Sequence, residues 1–129
     1  HNYTNNCVVY TGTHDNETLL GWYGDITPEE RHMVREYLWN FHDDEKGICR
    51  NMIRLGMGSV AGRCIIPIQD YLQLDNSARI NQPSTLGTNW KWRLKEGQFS
   101  KELQKEMLTL ATRFGRKNWT PDLVEEKME

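Results

Sequence analysis

The 129-residue sequence has no apolar stretch of membrane-spanning length: runs such as Cys7–Tyr10 and Cys64–Ile68 fall far short of the roughly 20 residues a bilayer requires. Its first residues, His1-Asn2-Tyr3, do not resemble a signal peptide. It also lacks an excess of charge of one sign. Sixteen basic residues against eighteen acidic ones leave a formal charge of −2, which provides neither a phosphate-neutralising surface nor a polybasic lipid-binding patch. Nucleic acid and membrane are therefore not expected as partners. Cysteine is scarce and odd in number; Cys7, Cys49 and Cys64 show no CxxC spacing, so neither a disulfide framework nor a zinc site is signalled. Reduced thiols and a soluble, cytoplasmic location follow. No histidine pair has metal-ligand spacing, and there is neither a phosphate-cradling Gly loop nor a G-x-S-x-G elbow. Cys49, on a helical pattern, reads as a core residue rather than a nucleophile.

The remaining composition is that of a globular chain: 37% hydrophobic, 26% charged, without repeats or low-complexity tracts. Cys7-Val8-Val9-Tyr10 reads as a buried strand that runs into a Thr11-Gly12-Thr13 loop carrying His14, Asp15 and Asn16. Thr27-Pro28-Glu29-Glu30 then predicts a helix start, with Thr27 as N-cap, Pro28 first in the helix and Glu30 closing a capping box. Met33, Val34, Tyr37, Leu38 and Phe41 follow as one apolar stripe. Asp43–Gly47 breaks this helix, and Ile48, Met52, Ile53, Leu55, Met57 and Val60 predict a second. Cys64–Ile68 reads as another short buried strand that Pro67 ends, followed by a turn or short helix through Tyr71, Leu72 and Leu74. Residues 75–97 are loop-like. Ser100 then caps a helix with Leu103, Met107, Leu110, Ala111 and Phe114 on one face, which Gly115 closes, and Thr120-Pro121-Asp122 could start a last short helix.

This rhythm is that of an α/β protein with parallel strands. Two parallel strands cannot close a barrel and expose unpaired edges on both sides, so the pattern describes part of a larger sheet and predicts self-association of the isolated chain. Two polar clusters are candidates for function. His14-Asp15-Asn16 lies at the loop end of a strand, where α/β barrels place catalytic residues; the alternative is an ordinary Asx-type turn. Arg79, Asn81, Asn89, Trp90, Trp92 and Arg93 share the loop after the second strand. Amides and indole faces suit the hydroxyls and CH faces of a sugar, although the tryptophans could equally anchor the loop to the core.

The segment Val8-Val9-Tyr10-Thr11-Gly12-Thr13-His14-Asp15-Asn16-Glu17-Thr18 resembles the seventh-strand signature of amylomaltases, the 4-α-glucanotransferases of glycoside hydrolase family 77. Ile66-Pro67-Ile68-Gln69-Asp70, Ala78-Arg79-Ile80-Asn81 and Asn89-Trp90-Lys91-Trp92-Arg93-Leu94 resemble that family's eighth strand and the loop after it, while the part from Lys95 onward matches only as a closing helix. Ser84 stands where the resemblance expects Gly. The resemblance implies that residues 1–129 are a single segment, the C-terminal part of a catalytic (β/α)8 barrel domain comprising about strands 7 and 8 with their helices, and helix-rich on its own.

The resemblance further implies transfer of an α-1,4-glucan segment to the 4-hydroxyl of glucose or another glucan by a retaining mechanism, without metal or organic cofactor. The expected partners are a maltodextrin substrate and the remainder of the barrel. Asp15 matches the transition-state-stabilising aspartate and His14 the histidine beside it. Asn16, Asn89, Trp90, Asn81 and Arg79 are the expected substrate contacts. The nucleophilic Asp and the acid/base Glu of the family belong after earlier strands, so the isolated chain is expected to be inactive. The competing readings are an α-glucan hydrolase of the α-amylase superfamily and a non-catalytic, glucan-binding or truncated fragment.

Overall fold

The computed structural model describes residues 1–117, and the helix start expected at Thr120 lies outside them. Strand β1 (Val8–Tyr10) leads through a loop into helices α1 (Leu19–Asp25), α2 (Pro28–Leu38) and α3 (Glu45–Met57). Strand β2 (Arg63–Ile65) follows, then α4 (Ile68–Tyr71), a 3-10 turn at Asn76–Ala78 and α5 (Lys101–Arg113). The two strands pair in parallel with Val8 opposite Arg63 and Tyr10 opposite Ile65, as the sequence pattern predicts. Both consequently end on the same edge of the sheet, and the loops that follow them share one end of the molecule. No helix among the described residues is long and apolar enough to cross a membrane.

Capping explains most helix starts. The Thr27 hydroxyl accepts from the Glu30 amide while the Glu30 carboxylate accepts from the Thr27 amide, which is the reciprocal box expected from the sequence. Ser100 Oγ accepts from Leu103 N to open α5. Asp44 Oδ1 accepts from Gly47 N to open α3, so the polar run expected to break α2 instead starts α3, α2 having already ended at Leu38. Gly47 is required there, because a Cβ would stand 2.6 Å from that of Asp43. Helix α1 is an addition to the sequence expectation: residues 19–25 have no separate helix signal of their own, yet Thr18 caps Gly21 and the helix forms.

The core lies where α1, α3 and α5 meet. Leu19, Tyr23, Ile48, Cys49, Ile53, Met57 and Leu110 form one buried cluster. Cys49 is a core residue as expected, its thiol pushed up to about 12 by burial and then by the carboxylates of Asp70, Glu45 and Asp44. The predicted apolar stripe of α2 divides. Val34 and Leu38 pack against the core cluster, whereas Met33, Tyr37 and Phe41 stay exposed. Trp39, which ends α2 in the left-handed region at φ 51°, is 84% exposed. Val60, expected on the second helix, lies beyond it and is also exposed. Arg116 ties the end of α3 to the chain after α5, donating to the carbonyls of Met57, Ser59 and Ala61 at 2.7, 3.0 and 3.1 Å.

Candidate functional site

The loop after β1 is organised by its own side chains. Asn16 Oδ1 accepts from the Thr13 amide and hydroxyl at 2.7 and 2.9 Å, and Asn16 N donates to Thr13 O at 3.1 Å. The turn differs from the Asx type, in which the side chain bonds forward: the Asn16 oxygen reaches back to Thr13, and the loop so closed holds His14 and Asp15 with side chains 56% and 49% exposed. Asn16 spends its carbonyl oxygen on the turn and is in the first place a loop former.

Residues from the loop after β2 converge on Asp15. Asn81 Nδ2 donates to Asp15 Oδ1 at 2.7 Å, and the Arg79 guanidinium donates to Asp15 O at 2.8 Å. Arg79 Nε also donates to Asn81 O at 3.0 Å, so one cation fixes both residues of the Asp15–Asn81 pair. His14 Nε2 stands 3.2 Å from the same Asp15 Oδ1. Among the described residues both contacts of the Asp15 carboxylate fall on Oδ1, leaving Oδ2 open on a side chain that is 49% exposed. A carboxylate with one oxygen steered by an amide and the other open can accept hydroxyl hydrogens from a ligand.

Trp90 completes the cluster. Its amide donates to Ile80 O at 2.7 Å, and its backbone is in the left-handed region at φ 65°, which few side chains adopt unless held there. The indole is 56% exposed, its ring centroid 5.2 Å from that of His14 at a tilt of 38°. A flat apolar surface thus stands beside the open carboxylate. A concavity of about 430 Å³ opens at the same end of the sheet, with Tyr10, Thr13, His14 and Arg79 in its lining.

Asn89, expected to contact substrate, is turned inward instead. Its Oδ1 accepts from Gln82 N at 2.9 Å, and its Nδ2 is spent on Thr85 O, Thr85 Oγ1 and Gln82 O. The reason is local: residues 82–89 make no strand or helix, and the Asn89 amide supplies the bonds their backbone lacks. Arg93 acts similarly, donating to the carbonyls of Trp90 and Trp92. Ser84, where the resemblance expected Gly, adopts φ 64°, the conformation that favours glycine.

Two residues beneath the site, Asp70 and Asn76, have no role in the sequence expectations. Asp70, 2% exposed, accepts from Thr11 Oγ1 at 2.6 Å and from Leu19 N at 2.8 Å. Burial pushes its carboxyl up from the ordinary range, while these two bonds pull it back. Asn76 accepts from Thr18 N and donates to Glu17 Oε1 at 2.9 Å. An acidic residue two positions after the apolar Ile65–Ile68 run was the available signal for Asp70; Asn76 carried none.

Residues 1–100 match the family model described as 4-alpha-glucanotransferase, glycoside hydrolase family 77. A curated 4-alpha-glucanotransferase of Clostridium butyricum is 45% identical over 118 residues, covering 90% of this chain and 24% of the relative. One from Thermus thermophilus is 44% identical over 108 residues, covering 79% of this chain and 21% of its own length. Among solved structures, an amylomaltase from Streptococcus agalactiae in complex with acarbose superposes with a TM-score of 0.85 at 30% identity, over 92% of this chain and 23% of that one. This chain therefore spans about a quarter of the length of the curated relatives it matches. On sequence and fold together, the chain belongs to the 4-alpha-glucanotransferase family, glycoside hydrolase family 77.

Proposed function

We propose that these residues form the Asp15 side of the active site of a 4-α-glucanotransferase, built on about the seventh and eighth strands of a (β/α)8 barrel. The observation that carries this reading is the open Oδ2 of Asp15, with Oδ1 held by Asn81 and His14, at the edge where both parallel strands end. That edge is where α/β barrels do their chemistry. The remainder of the barrel would cover the exposed faces of β1, where Val8 and Tyr10 are 40% and 48% exposed.

Retaining glycosyl transfer runs through an oxocarbenium-like transition state between a nucleophilic carboxylate and an acid/base, and needs no metal or organic cofactor. Asp15 takes the third role. Its open oxygen accepts from ring hydroxyls, holds the distorted sugar and opposes the positive charge that develops on it. Hydrogen bonds to charged groups are worth about 1.5–3 kcal/mol each. Two that strengthen in the transition state supply about 10²- to 10⁴-fold in rate. His14 stands beside Asp15, Asn81 and Arg79 hold Asp15 in place, and the Trp90 face receives a sugar ring and helps an acceptor glucan compete with water. The nucleophile and the acid/base come from outside these 129 residues. Acarbose in the structural relative supports a glucan-like ligand at this site. The free cysteines support a reducing compartment such as the cytosol.

The test uses the longer enzyme that carries this segment, incubated with maltotriose. Glucose together with longer maltodextrins is the expected product pattern; glucose without them identifies a hydrolase. Asp15→Asn lowers kcat by about 10²-fold or more with folding intact. An unchanged rate removes Asp15 from the site. The isolated 129-residue chain leaves maltotriose untouched, and turnover by it alone would refute the division of roles.

A further inference from the structure

We propose that Asp70 is a positioning residue for the loop that carries His14 and Asp15, its two carboxylate oxygens pinning the two ends of residues 11–19. Oδ2 takes the Thr11 hydroxyl, at the point where β1 gives way to the loop; Oδ1 takes the Leu19 amide, where the loop gives way to α1. This rests on the reading of Asp15 given above.

Three observations support it. First, Asp70 is 2% exposed, and no ion pair among the described residues includes it. A carboxylate removed from water without a counter-ion is costly, and a residue serving only to fill the core would be better apolar. Desolvation indeed raises its carboxyl above the ordinary range, against the pull of its two donors. Second, those donors are the ends of the loop, so the carboxylate closes it as a staple would. Third, the staple does not stand alone. Asn76 holds Thr18 N and Glu17, and Arg79 and Asn81 hold Asp15 itself. All four residues come from the short stretch after β2. The stretch 70–81 thus fixes the Asp15 loop at its start, its tip and its end.

A residue that merely stabilises the core and one that places Asp15 predict different kinetics. In the longer enzyme, Thr11→Val removes the donor to Asp70 at nearly constant volume, and Thr11→Ser keeps it. Thr11→Val lowers kcat for maltotriose disproportionation about 10- to 100-fold with KM within about twofold, because a misplaced catalytic group costs rate rather than binding. Thr11→Ser keeps the native rate. In an Asp15→Asn background the same Thr11→Val change lowers the residual rate less than about threefold, since nothing remains to misplace. Thr11→Ala, which removes the same donor with a smaller side chain, gives a second variant should Thr11→Val fold poorly, with the same loss in the native background and the same silence in the Asp15→Asn one.

Equal losses in both backgrounds would show a purely structural role and overturn the proposal. So would native kcat in folded Thr11→Val or Thr11→Ala enzymes beside a crippled Asp15→Asn enzyme. If Asp15→Asn itself runs at the native rate, the functional reading fails first and the proposal falls with it.

Discussion

Replacing Gly21 with Ala sets two effects of opposite sign against each other. Alanine is a better helix former than glycine by about 0.8–1 kcal/mol, and Gly21 sits within α1, so propensity alone predicts a more stable protein. Space predicts the reverse: a Cβ on Gly21 would stand 2.1 Å from Asn76 Oδ1 and 2.3 Å from its Cγ. The amide can swing aside, so the cost is less the collision than the bonds it leaves behind. Asn76 Oδ1 accepts from the amide of Thr18, a residue only 5% exposed. A buried donor left without a partner costs about 1–3 kcal/mol, which meets or exceeds the helix gain. The bond to Glu17 adds less, because that carboxylate can turn to water. Gly21→Ala is therefore expected to destabilise the protein by about 1 kcal/mol, read by urea denaturation. The decisive control is the Asn76→Ala background, where the clash and its bonds are both gone. There the same Gly21→Ala change should stabilise by about 0.8–1 kcal/mol. An effect of the same sign in both backgrounds would refute the reasoning.

Two further predictions concern the core and its closure. Cys49 has a folded pKa of about 12 against an ordinary 9.0, so the unfolded chain releases its proton first, and the stability present below pH 9 is lost as pH rises toward 12. Between about pH 8 and about pH 10 this costs roughly 1.4 kcal/mol; the slope should vanish in Cys49→Ala, and equal slopes in the two proteins would exclude the thiol as its source. Arg116→Ala leaves three carbonyls at the end of α3 without their donors and should cost about 2–4 kcal/mol, with Arg116→Lys recovering only part because an ammonium cannot reproduce the planar fork. A loss below about 0.5 kcal/mol on thermal or chemical denaturation of the Ala variant would show that water replaces the guanidinium without penalty.

The elements legible in the sequence are those whose signal is local. Thr27-Pro28-Glu30 and Ser100 announce their helices because each cap is satisfied within its own first turn. Val8–Tyr10 reads as a strand because its residues are β-branched or aromatic and end at a glycine. Helix α1 was not legible for the converse reason. Gly21 and Gly24 lower its propensity, Trp22 and Tyr23 favour strands, and its Thr18 cap is joined at the helix start by Asp70, 51 residues beyond Leu19. The same divide runs through the site. Asp15 and His14 were visible as a polar cluster after a strand, and Asn81 and Arg79 as amide and cation in a loop. Composition does not say which amide a loop keeps for itself, so Asn89 and Asn81 look alike until one is found folded into its own turn and the other reaching Asp15.

The structure separates stability from chemistry everywhere except at one seam. Tyr23, Ile48, Cys49, Ile53 and Met57 sit in the core, and no hydrogen bond or ring contact among the described residues ties them to His14, Asp15 or Trp90. His14, Asp15 and Trp90 are about half exposed. Changes at the first set should cost folding free energy, and changes at the second should cost rate with little loss of stability. Leu19 belongs to both, because its side chain is 4% exposed in the core cluster while its amide is the donor that Asp70 holds. The loop that presents Asp15 therefore ends on a residue that cannot move without opening the core. On the proposed reading of Asp15, that coupling lets a loop with exposed side chains keep a fixed geometry, and it places the control of that geometry in a buried carboxylate rather than in the groups proposed to meet the sugar.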